Sequence, residues 1–333
     1  MRSSKISEIS VFLPDKIETN DDLARDFPDW SAKKIEKIVG IRQRHLVSEN
    51  ETSLDLAYNA CLKLFETIDK KDIDFVLFCS QNPDYLLPAS ACILQDRLGL
   101  NTSIGAFDYS LGCTGFIFGL ATAKGLISAG IASNVLLVTT DAITKKIHKK
   151  DRSNRLIFGD GAAATLISAS DEPGIANFSL GTDGSGFQNL IIPNGGLKQA
   201  YDPEAKDWQD ENENFHNDNY LFMNGLEVFN FTIKIVPDLI SDVLLKNNLT
   251  IDDIDYFVFH QANQYMLEYL RSMINCPREK FYINMWDIGN TSSATIPIGL
   301  KDLLINNKIK PGDKIMVAGF GVGYSYGATI ITI

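Results

Sequence analysis

The chain repeats itself, and this internal duplication restricts its fold more than any other feature. Four stretches of the first half resemble stretches of the second half, in the same order along the chain. In three pairs the separation is nearly constant, at 181, 177 and 180 residues, which chance rarely produces. We therefore predict two related halves, residues 1–170 and residues 171–333. The pairs are KDIDFVLFCSQNP (from Lys71) with DDIDYFVFHQANQ (from Asp252), GCTGFIFGL (from Gly112) with GNTSSATIP (from Gly289), NVLLVTTDA (from Asn134) with KIMVAGFGV (from Lys314), and DGAAATLISAS (from Asp160) with YGATIITI (from Tyr326).

Each half shows the pattern of an α/β fold. The strand segments are continuous apolar runs rather than alternating ones, as in sheets that are buried on both faces. Helical patterns lie between them, for instance at residues 54–68 and 231–246. We predict two βαβαβ-type halves packed together, with a layer of helices between their sheets.

Composition excludes several classes of function. The net charge of −11 argues against general nucleic-acid binding, which needs a basic surface. The five cysteines are odd in number, lack CxxC spacing and lie apart from the histidines, so we expect neither disulfides nor a metal site. No apolar run reaches the ~18 residues of a membrane span, and the N-terminus lacks a signal-peptide core. We expect a cytoplasmic protein that does not bind membranes.

Cys113 stands between small turn residues, directly ahead of a long apolar run. If a helix begins there, its unpaired N–H groups and macrodipole favour a thiolate. Such a position can lower the pKa of a thiol from its usual value near 8.5. The alternative is that Cys113 is a small apolar residue packed at a helix start.

Two further polar residues follow the same layout. His260 ends an apolar strand where the first half has Cys79, and Asn290 lies close to the position that corresponds to Cys113. Ligands of α/β sheets bind beyond the carboxyl ends of the strands. We therefore expect these groups to meet at a face shared by the two halves, although each alone is compatible with a structural role.

The glycine-rich segment GFGVGYSYG, residues 319–327, precedes another strand rather than a helix. It is therefore not expected to bind a dinucleotide, but it offers backbone N–H groups to an oxyanion. Cysteine, histidine, asparagine and such a loop are the components of acyl transfer through a thioester. A papain-like protease uses the same residue order, but its typical cysteine surroundings are missing here.

Several motifs together resemble the β-ketoacyl-acyl carrier protein synthase III family of the thiolase superfamily, and they extend over nearly the whole chain. The resemblance implies a thiolase-like fold, a five-layer α-β-α-β-α sandwich that is itself an internal duplication. The motifs are TNDDLA (near Thr19), GIRQRH (from Gly40), GCTGF (around Cys113), FGDGAAA (from Phe158), MNGLEVFNF (from Met223), HQAN (from His260) and GNTSSATIP (from Gly289).

The resemblance also implies a mechanism. Cys113 would take an acyl group from a thioester, while the N–H groups of Cys113 and Val322 stabilise the oxyanion. His260 and Asn290 would bind the thioester carbonyl of a malonyl carrier and stabilise the enolate that forms when CO2 leaves. The substrates would be acyl-CoA or acyl-carrier protein, and no cofactor or metal is expected.

Further positions are matched by the same resemblance. Arg152 would flank the adenine of coenzyme A, and Phe229, Ala262 and Asn263 would line the pantetheine channel. Leu87 would close the acyl pocket of a partner subunit, which implies a homodimer.

Other positions depart from the family pattern. Lys34 and Ile38 stand where coenzyme A-primed members often have Trp and Arg, and Asn230 and Tyr265 stand where members often have basic residues for the carrier protein. The acidic stretch at residues 201–220 is expected to be a surface loop. These departures fit a specialised pathway or a carrier-borne acyl donor as well as they fit acetyl-CoA priming of fatty-acid synthesis.

The basic segment at residues 145–155 is expected to be either a solvated helix end or a landing site for a phosphate or an acidic partner. Two alternatives to a condensing enzyme stay open: an acyltransferase that passes the acyl group to an alcohol or amine, and a non-catalytic dimeric binding protein.

Overall fold

The framework of the molecule is formed by β-strands, described here from a computed structural model in which residues 2–333 are placed. The strands are β1 (Ser3–Phe12), β2 (Lys16–Thr19), β3 (Gln43–Leu46), β4 (Phe75–Cys79), β5 (Gly105–Tyr109), β6 (Asn134–Asp141), β7 (Gly161–Ser170), β8 (Ser179–Thr182), β9 (Leu190–Ile191), β10 (Trp208–Gln209), β11 (Phe215–His216), β12 (Phe222–Met223), β13 (Tyr256–Phe259), β14 (Lys314–Gly321) and β15 (Ser325–Thr332).

Helices connect and cover these strands. They are α1 (Asn20–Asp26), α2 (Ala32–Val39), α3 (Ser53–Leu64), α4 (Ser90–Leu98), α5 (Gly115–Ser128), α6 (Arg152–Arg155), α7 (Gly225–Lys246), α8 (Gln264–Met273) and α9 (Thr295–Ile305). Among residues 2–333, none of the helices is long and apolar enough to cross a bilayer.

The two main sheets share one pairing pattern. The first has the order β1-β7-β6-β4-β5 and the second the order β13-β14-β15-β8. In each, a long buried strand (β6 or β14) pairs in parallel with β4 or β13 and antiparallel with β7 or β15. The counterpart of β5 is reduced to a single parallel bridge between Phe257 and Phe281. The predicted duplication is confirmed.

Two apolar helices separate the sheets. α5 and α9 each contact strands of both sheets, whereas α3 and α4 cover the outer face of the first sheet and α7, with α8 beside it, covers the second. Most residues of α9 are buried, because a helix between two sheets has little surface left for water. The predicted five-layer α-β-α-β-α sandwich is confirmed.

The two halves share core packing. The predicted division after residue 170 falls between β7, which ends at Ser170, and β8, which begins at Ser179. However, Leu23, Ile35 and Leu156 pack into the same buried cluster as residues of the second half. The exact domain division therefore stays a prediction.

Candidate active site

One cavity, of about 120 Å³, is lined by residues of both halves. Cys113 of the first half lies in its wall with His260 and Asn290 of the second half. Most of the remaining wall is apolar, with Phe320, Met223 and Val228 among its members. The structure thus brings the three predicted side chains together.

Cys113 is placed by the start of α5. It precedes the N-cap residue Thr114, whose hydroxyl lies 2.7 Å from Ser325 Oγ in the second half. At the end of β14, Gly321 has a φ of 156°, and a Cβ atom there would lie 2.7 Å from Cys113 Sγ. Only glycine therefore gives the sulfur its space.

The resting thiol of Cys113 is neutral. Its side chain keeps some surface open to the cavity, but the packing around it raises the pKa to about 11. The backbone N–H groups of Val322 and of Cys113 itself act against this rise, while the negative charge of Asp141 adds to it. The lowered pKa expected from the helix start is therefore wrong, because desolvation outweighs the N–H groups.

His260 directly follows β13 and is 1% exposed. Its backbone N–H donates to Ala318 O at 2.8 Å, which continues the strand pairing. Burial lowers the pKa of the ring to about 3, so the imidazole is neutral. Nδ1 lies 2.8 Å from Thr295 Oγ1, and the ring forms part of the cavity wall.

Asn290 is held by the first half of the chain. Its N–H donates to Ile157 O at 2.9 Å, and its carbonyl accepts from Gly159 N at 3.0 Å. Its side-chain Oδ1 accepts from Ser292 N at 2.9 Å. The amide oxygen is therefore engaged, which leaves Nδ2, 3.5 Å from Ala262 O, as the donor of the side chain.

Sequence reasoning missed the buried carboxylate of Asp141, at the end of β6. It accepts hydrogen bonds from Gln81 N at 2.8 Å and from Ser293 Oγ at 3.1 Å, while Gln81 Nε2 donates to Ser292 Oγ at 2.9 Å. Asp141 thereby ties the first sheet to the loop that carries Asn290. Burial raises its pKa to about 6. A charged residue that ends an apolar run was the signal available in the sequence.

The other predicted site residues differ in position. Ala262 and Asn263 line the cavity, and Asn263 also caps α8 by accepting from Met266 N at 2.9 Å. Phe229 lies outside the lining and packs on Tyr265, with ring centroids 5.7 Å apart. Leu87 is 86% exposed, so within this chain it does not reach the cavity. Among residues 2–333, no group of three or more His, Cys, Asp and Glu side chains could hold a metal ion.

The acidic stretch lies mostly at the surface, as predicted, but it is anchored to the rest of the chain. Its strands β10 and β11 form a hairpin that includes the buried residues Asn214 and His216. The amide of Asn214 accepts from Arg152 N at 2.9 Å, at the start of α6, and donates to Asp151 Oδ1 at 2.8 Å. Asp207 lies 3.5 Å from His148 Nε2.

The hairpin covers part of the basic segment at residues 145–155. It contacts the segment around His148 and Arg152, whereas Lys145, Lys146 and Lys149 stay exposed, so both interpretations of the segment stay predictions. The Arg152 side chain donates to Asn212 O at 3.2 Å and lies over Trp30, 4.8 Å from the ring centroid. Lys34 lies over the same ring at 4.3 Å. Sequence reasoning considered Lys34 and missed Trp30, four residues before it.

Comparison with known proteins agrees with this geometry. Residues 107–184 match the family described as 3-oxoacyl-(acyl-carrier-protein) synthase III, and residues 244–333 match its C-terminal part. A β-ketoacyl-(acyl-carrier-protein) synthase III of Clostridium perfringens is 34% identical over 100% of both chains. The protein of that name from Campylobacter fetus subsp. fetus is 36% identical over 99% of this chain and 98% of its own. The chain belongs to the 3-oxoacyl-(acyl-carrier-protein) synthase III family.

The solved structures of this family share the fold. A 2.1 Å crystal structure of a 3-oxoacyl-(acyl-carrier-protein) synthase III is 41% identical and superposes with a TM-score of 0.98, covering 99% of this chain and 100% of that one. The thiolase-like fold predicted from the motifs is confirmed.

Proposed function

We propose that this chain catalyses a decarboxylating Claisen condensation between an acyl thioester and a malonyl thioester borne on a carrier protein. One observation carries the proposal: a thiol from the first half and an imidazole and a carboxamide from the second line one largely apolar cavity. A thiol can hold an acyl group, and two neutral donors can stabilise an enolate.

In the first step, Cys113 takes the acyl group. Its thiol is neutral at rest, so the S–H proton has to leave as the sulfur attacks the thioester carbonyl, and it ends on the departing thiol. The backbone N–H groups that now point at the sulfur, those of Cys113 and Val322, are placed to stabilise the oxyanion of the tetrahedral intermediate.

In the second step, the malonyl thioester binds with its carbonyl oxygen toward His260 and Asn290. Cleavage of the bond to the carboxylate releases CO2 and leaves the electron pair as an enolate. Because His260 is neutral and Asn290 presents Nδ2, both can donate hydrogen bonds to the enolate oxygen. The enolate carbon then attacks the acyl-cysteine, and the Cys113 thiolate leaves to give a β-ketoacyl thioester. The thiolate takes up a proton from water and returns to the neutral thiol.

The experiment incubates the protein with a panel of acyl-CoA and acyl-carrier donors and malonyl-carrier protein, and follows CO2 and the product mass. The proposal predicts one CO2 for each β-ketoacyl product. Acylation of Cys113 without CO2 release or a new C–C bond would refute it. In that case an Asn290→Ala variant that transfers the acyl group to an alcohol or amine at full rate would identify an acyltransferase instead.

We propose that the acyl donor is borne on a carrier protein or a short pantetheine arm, and that the enzyme does not bind the donor through the nucleotide of coenzyme A. The Arg152 side chain is engaged by Trp30 and by Asn212 O, and His148 by Asp207, so these two side chains are not free for the phosphates of coenzyme A. If so, acyl-CoA and acyl-pantetheine should give kcat/KM values within about threefold of each other. A much higher value for acyl-CoA would overturn this donor preference without touching the condensation itself.

The remaining expectations belong to the same proposal. The enzyme would act in the cytoplasm as a homodimer, without a cofactor, and would bind neither nucleic acid nor membranes. Leu87, which is 86% exposed in the single chain, would close the acyl pocket of the partner subunit, with Arg152, Phe229, Ala262 and Asn263 along the path of the substrate arm. Sedimentation that shows a stable monomer would contradict the dimer.

A further inference from the structure

A series of hydrogen bonds runs from the first half of the molecule to the carboxamide of Asn290. Gln81, shortly after the end of β4, donates from Nε2 to Ser292 Oγ at 2.9 Å. The Ser292 hydroxyl in turn donates to the carboxylate of Asp141. The backbone N–H of Ser292 donates to Asn290 Oδ1 at 2.9 Å. Ser292 therefore connects a side chain of the first half to the carboxamide of the second.

The donors and acceptors in this series are mutually consistent. A carboxylate only accepts, so the Ser292 hydroxyl gives its proton to Asp141 and its oxygen is free to accept from Gln81. The same carboxylate fixes the orientation of the Gln81 amide, because Nε2 also lies 3.4 Å from Asp141 Oδ2. A backbone N–H only donates, so the atom of Asn290 that faces Ser292 N is its oxygen. Nδ2 of Asn290 is thereby left as the donor.

The backbone of Ser292 is strained. Its φ is 54°, in the left-handed region that a residue with a Cβ atom seldom adopts. Such a conformation costs free energy and persists only where the surrounding contacts hold it. Ser292 is buried, and its hydroxyl is held by Gln81 and Asp141 while its carbonyl accepts from Thr295 Oγ1 at 3.1 Å. The direction of its N–H, toward Asn290, depends on this conformation.

We propose that Gln81 is a positioning residue for Asn290: its amide holds the Ser292 hydroxyl, keeps Ser292 left-handed and thereby fixes the carboxamide with Nδ2 as its donor. The inference rests on the proposed function, in which Nδ2 stabilises the enolate. Gln81 is itself held in place by Gly112, where a Cβ atom would lie 2.7 Å from both Nε2 and Oε1 of the amide.

The consequence is a separation of the two chemical steps. Among residues 2–333, the Gln81 side chain forms its hydrogen bonds with Ser292 and Asp141. Acylation of Cys113 does not use the Asn290 carboxamide, because the oxyanion of that step faces backbone N–H groups. Loss of the Gln81 amide should therefore slow condensation and spare acylation, whereas a general distortion of the site should impair both.

The experiment compares Gln81→Met, which removes the amide at nearly constant length, with two substitutions of Ser292. Ser292→Ala and Ser292→Gly lose the same hydroxyl, but only glycine adopts a φ of 54° without strain. The matched control is Ser80→Ala, because Ser80 Oγ lies 3.4 Å from the same Asp141 carboxylate and accepts from Asn82 N. Acylation is read from the intact mass after a brief pulse of acyl donor, and condensation from CO2 release by the acylated protein.

We expect Gln81→Met and Ser292→Ala to condense about tenfold more slowly than the wild type, the effect of roughly one hydrogen bond, and to keep acylation within about twofold. Ser292→Gly should condense faster than Ser292→Ala, within about threefold of the wild type. Adding Gln81→Met to Ser292→Gly should cost nothing further, because the hydroxyl that Gln81 holds is already gone. Ser80→Ala should retain both activities.

Three results would overturn the proposal. The first is condensation by Gln81→Met at the wild-type rate. The second is an equal loss of acylation and condensation in that variant. The third is equal condensation by Ser292→Ala and Ser292→Gly, because the left-handed backbone would then play no part.

A structural readout separates this proposal from the proposed function. Crystal structures of the wild type and of Gln81→Met report the φ of Ser292 and the distance from its N to Asn290 Oδ1, whether or not the protein condenses. Gln81→Met should show Ser292 outside the left-handed region or the Asn290 carboxamide turned away from it. An unchanged φ and distance would refute the role of Gln81 even if condensation is confirmed. A wild type that does not condense would refute the proposed function, while the structural comparison would still stand by itself.

Discussion

The two halves of the chain use the same structural positions for different tasks. The strand that ends with Cys79 in the first half corresponds to the strand followed by His260 in the second. Cys79 is fully buried and donates to Leu111 O at 3.0 Å, and burial raises its pKa. His260 instead faces the cavity. After duplication, one copy of the position thus serves packing and the other serves the site.

The central strands differ in a complementary way. β6 ends in Asp141 and β14 ends in Gly321, at corresponding places in the two sheets. Asp141 holds the loop ahead of α9 through Ser293, whereas Gly321 leaves space for the sulfur ahead of α5. Each strand end therefore serves the helix start of the opposite half. Neither half alone contains a complete site.

The largest effect is expected from truncating the two equivalent strand-end residues. His260→Ala should lower condensation about 10²- to 10³-fold, because an enolate donor is lost. Cys79→Ala should change condensation by less than about threefold, since its sulfur serves packing, and should cost roughly 1–2 kcal/mol of stability. CO2 release measures condensation, and chemical denaturation measures the free energy of unfolding. Equal losses of activity would break the distinction between the positions.

A smaller effect is expected from crowding the sulfur. Gly321→Ala places a methyl group where a Cβ atom lies 2.7 Å from Cys113 Sγ, so acylation and alkylation by iodoacetamide should slow about a hundredfold. Gly125→Ala in α5 is the control, because a Cβ atom there meets nothing within 4 Å. Gly125→Ala should be alkylated at the wild-type rate. Alkylation of Gly321→Ala as fast as that of the wild type would contradict the prediction.

The smallest effect concerns stability and pH. The raised pKa of Asp141, about 6, means that the folded chain holds this proton more tightly than the unfolded chain does. Its contribution to stability is therefore present below about pH 4 and is lost as the pH rises through 6. Because asparagine does not titrate, the free energy of unfolding of the wild type should fall relative to Asp141→Asn by about 2.4 kcal/mol between about pH 4 and pH 8. Chemical denaturation of both proteins at the two pH values measures this change. A difference in unfolding free energy between the two proteins that does not depend on pH would contradict the prediction.

The sequence predicted the parts of the site that lie at the ends of repeated elements. Cys113, His260 and Asn290 follow from the duplication and from the rule that ligands bind beyond strand ends, and the layer of helices follows from the apolar character of α5 and α9. Trp30 carries no comparable signal. Its contacts with Arg152 and Lys34 arise only in the folded chain.

The acidic hairpin shows what local reading of charge misses. Residues 201–220 and 145–155 each have the composition of solvated surface, and most of their charged residues are exposed. The contacts between them, through Asn214 at the start of α6 and Asp207 beside His148, arise only in the folded chain. The prediction of a lowered thiol pKa was wrong for a related reason. A helix start can be predicted from the sequence, but the burial that desolvates Cys113 cannot.

The central claim is that one cavity lets a nucleophile of the first half and two donors of the second act on the same substrate. The most direct measurement is the discharge of acyl-Cys113 in a single turnover, followed by intact mass in the wild type and in Asn290→Ala. Adding malonyl-carrier protein should remove the acyl group from the wild type, with one CO2 released per acyl group lost, and should leave Asn290→Ala largely acylated. Discharge at the same rate in both proteins, or discharge of the wild type without CO2, would contradict the account.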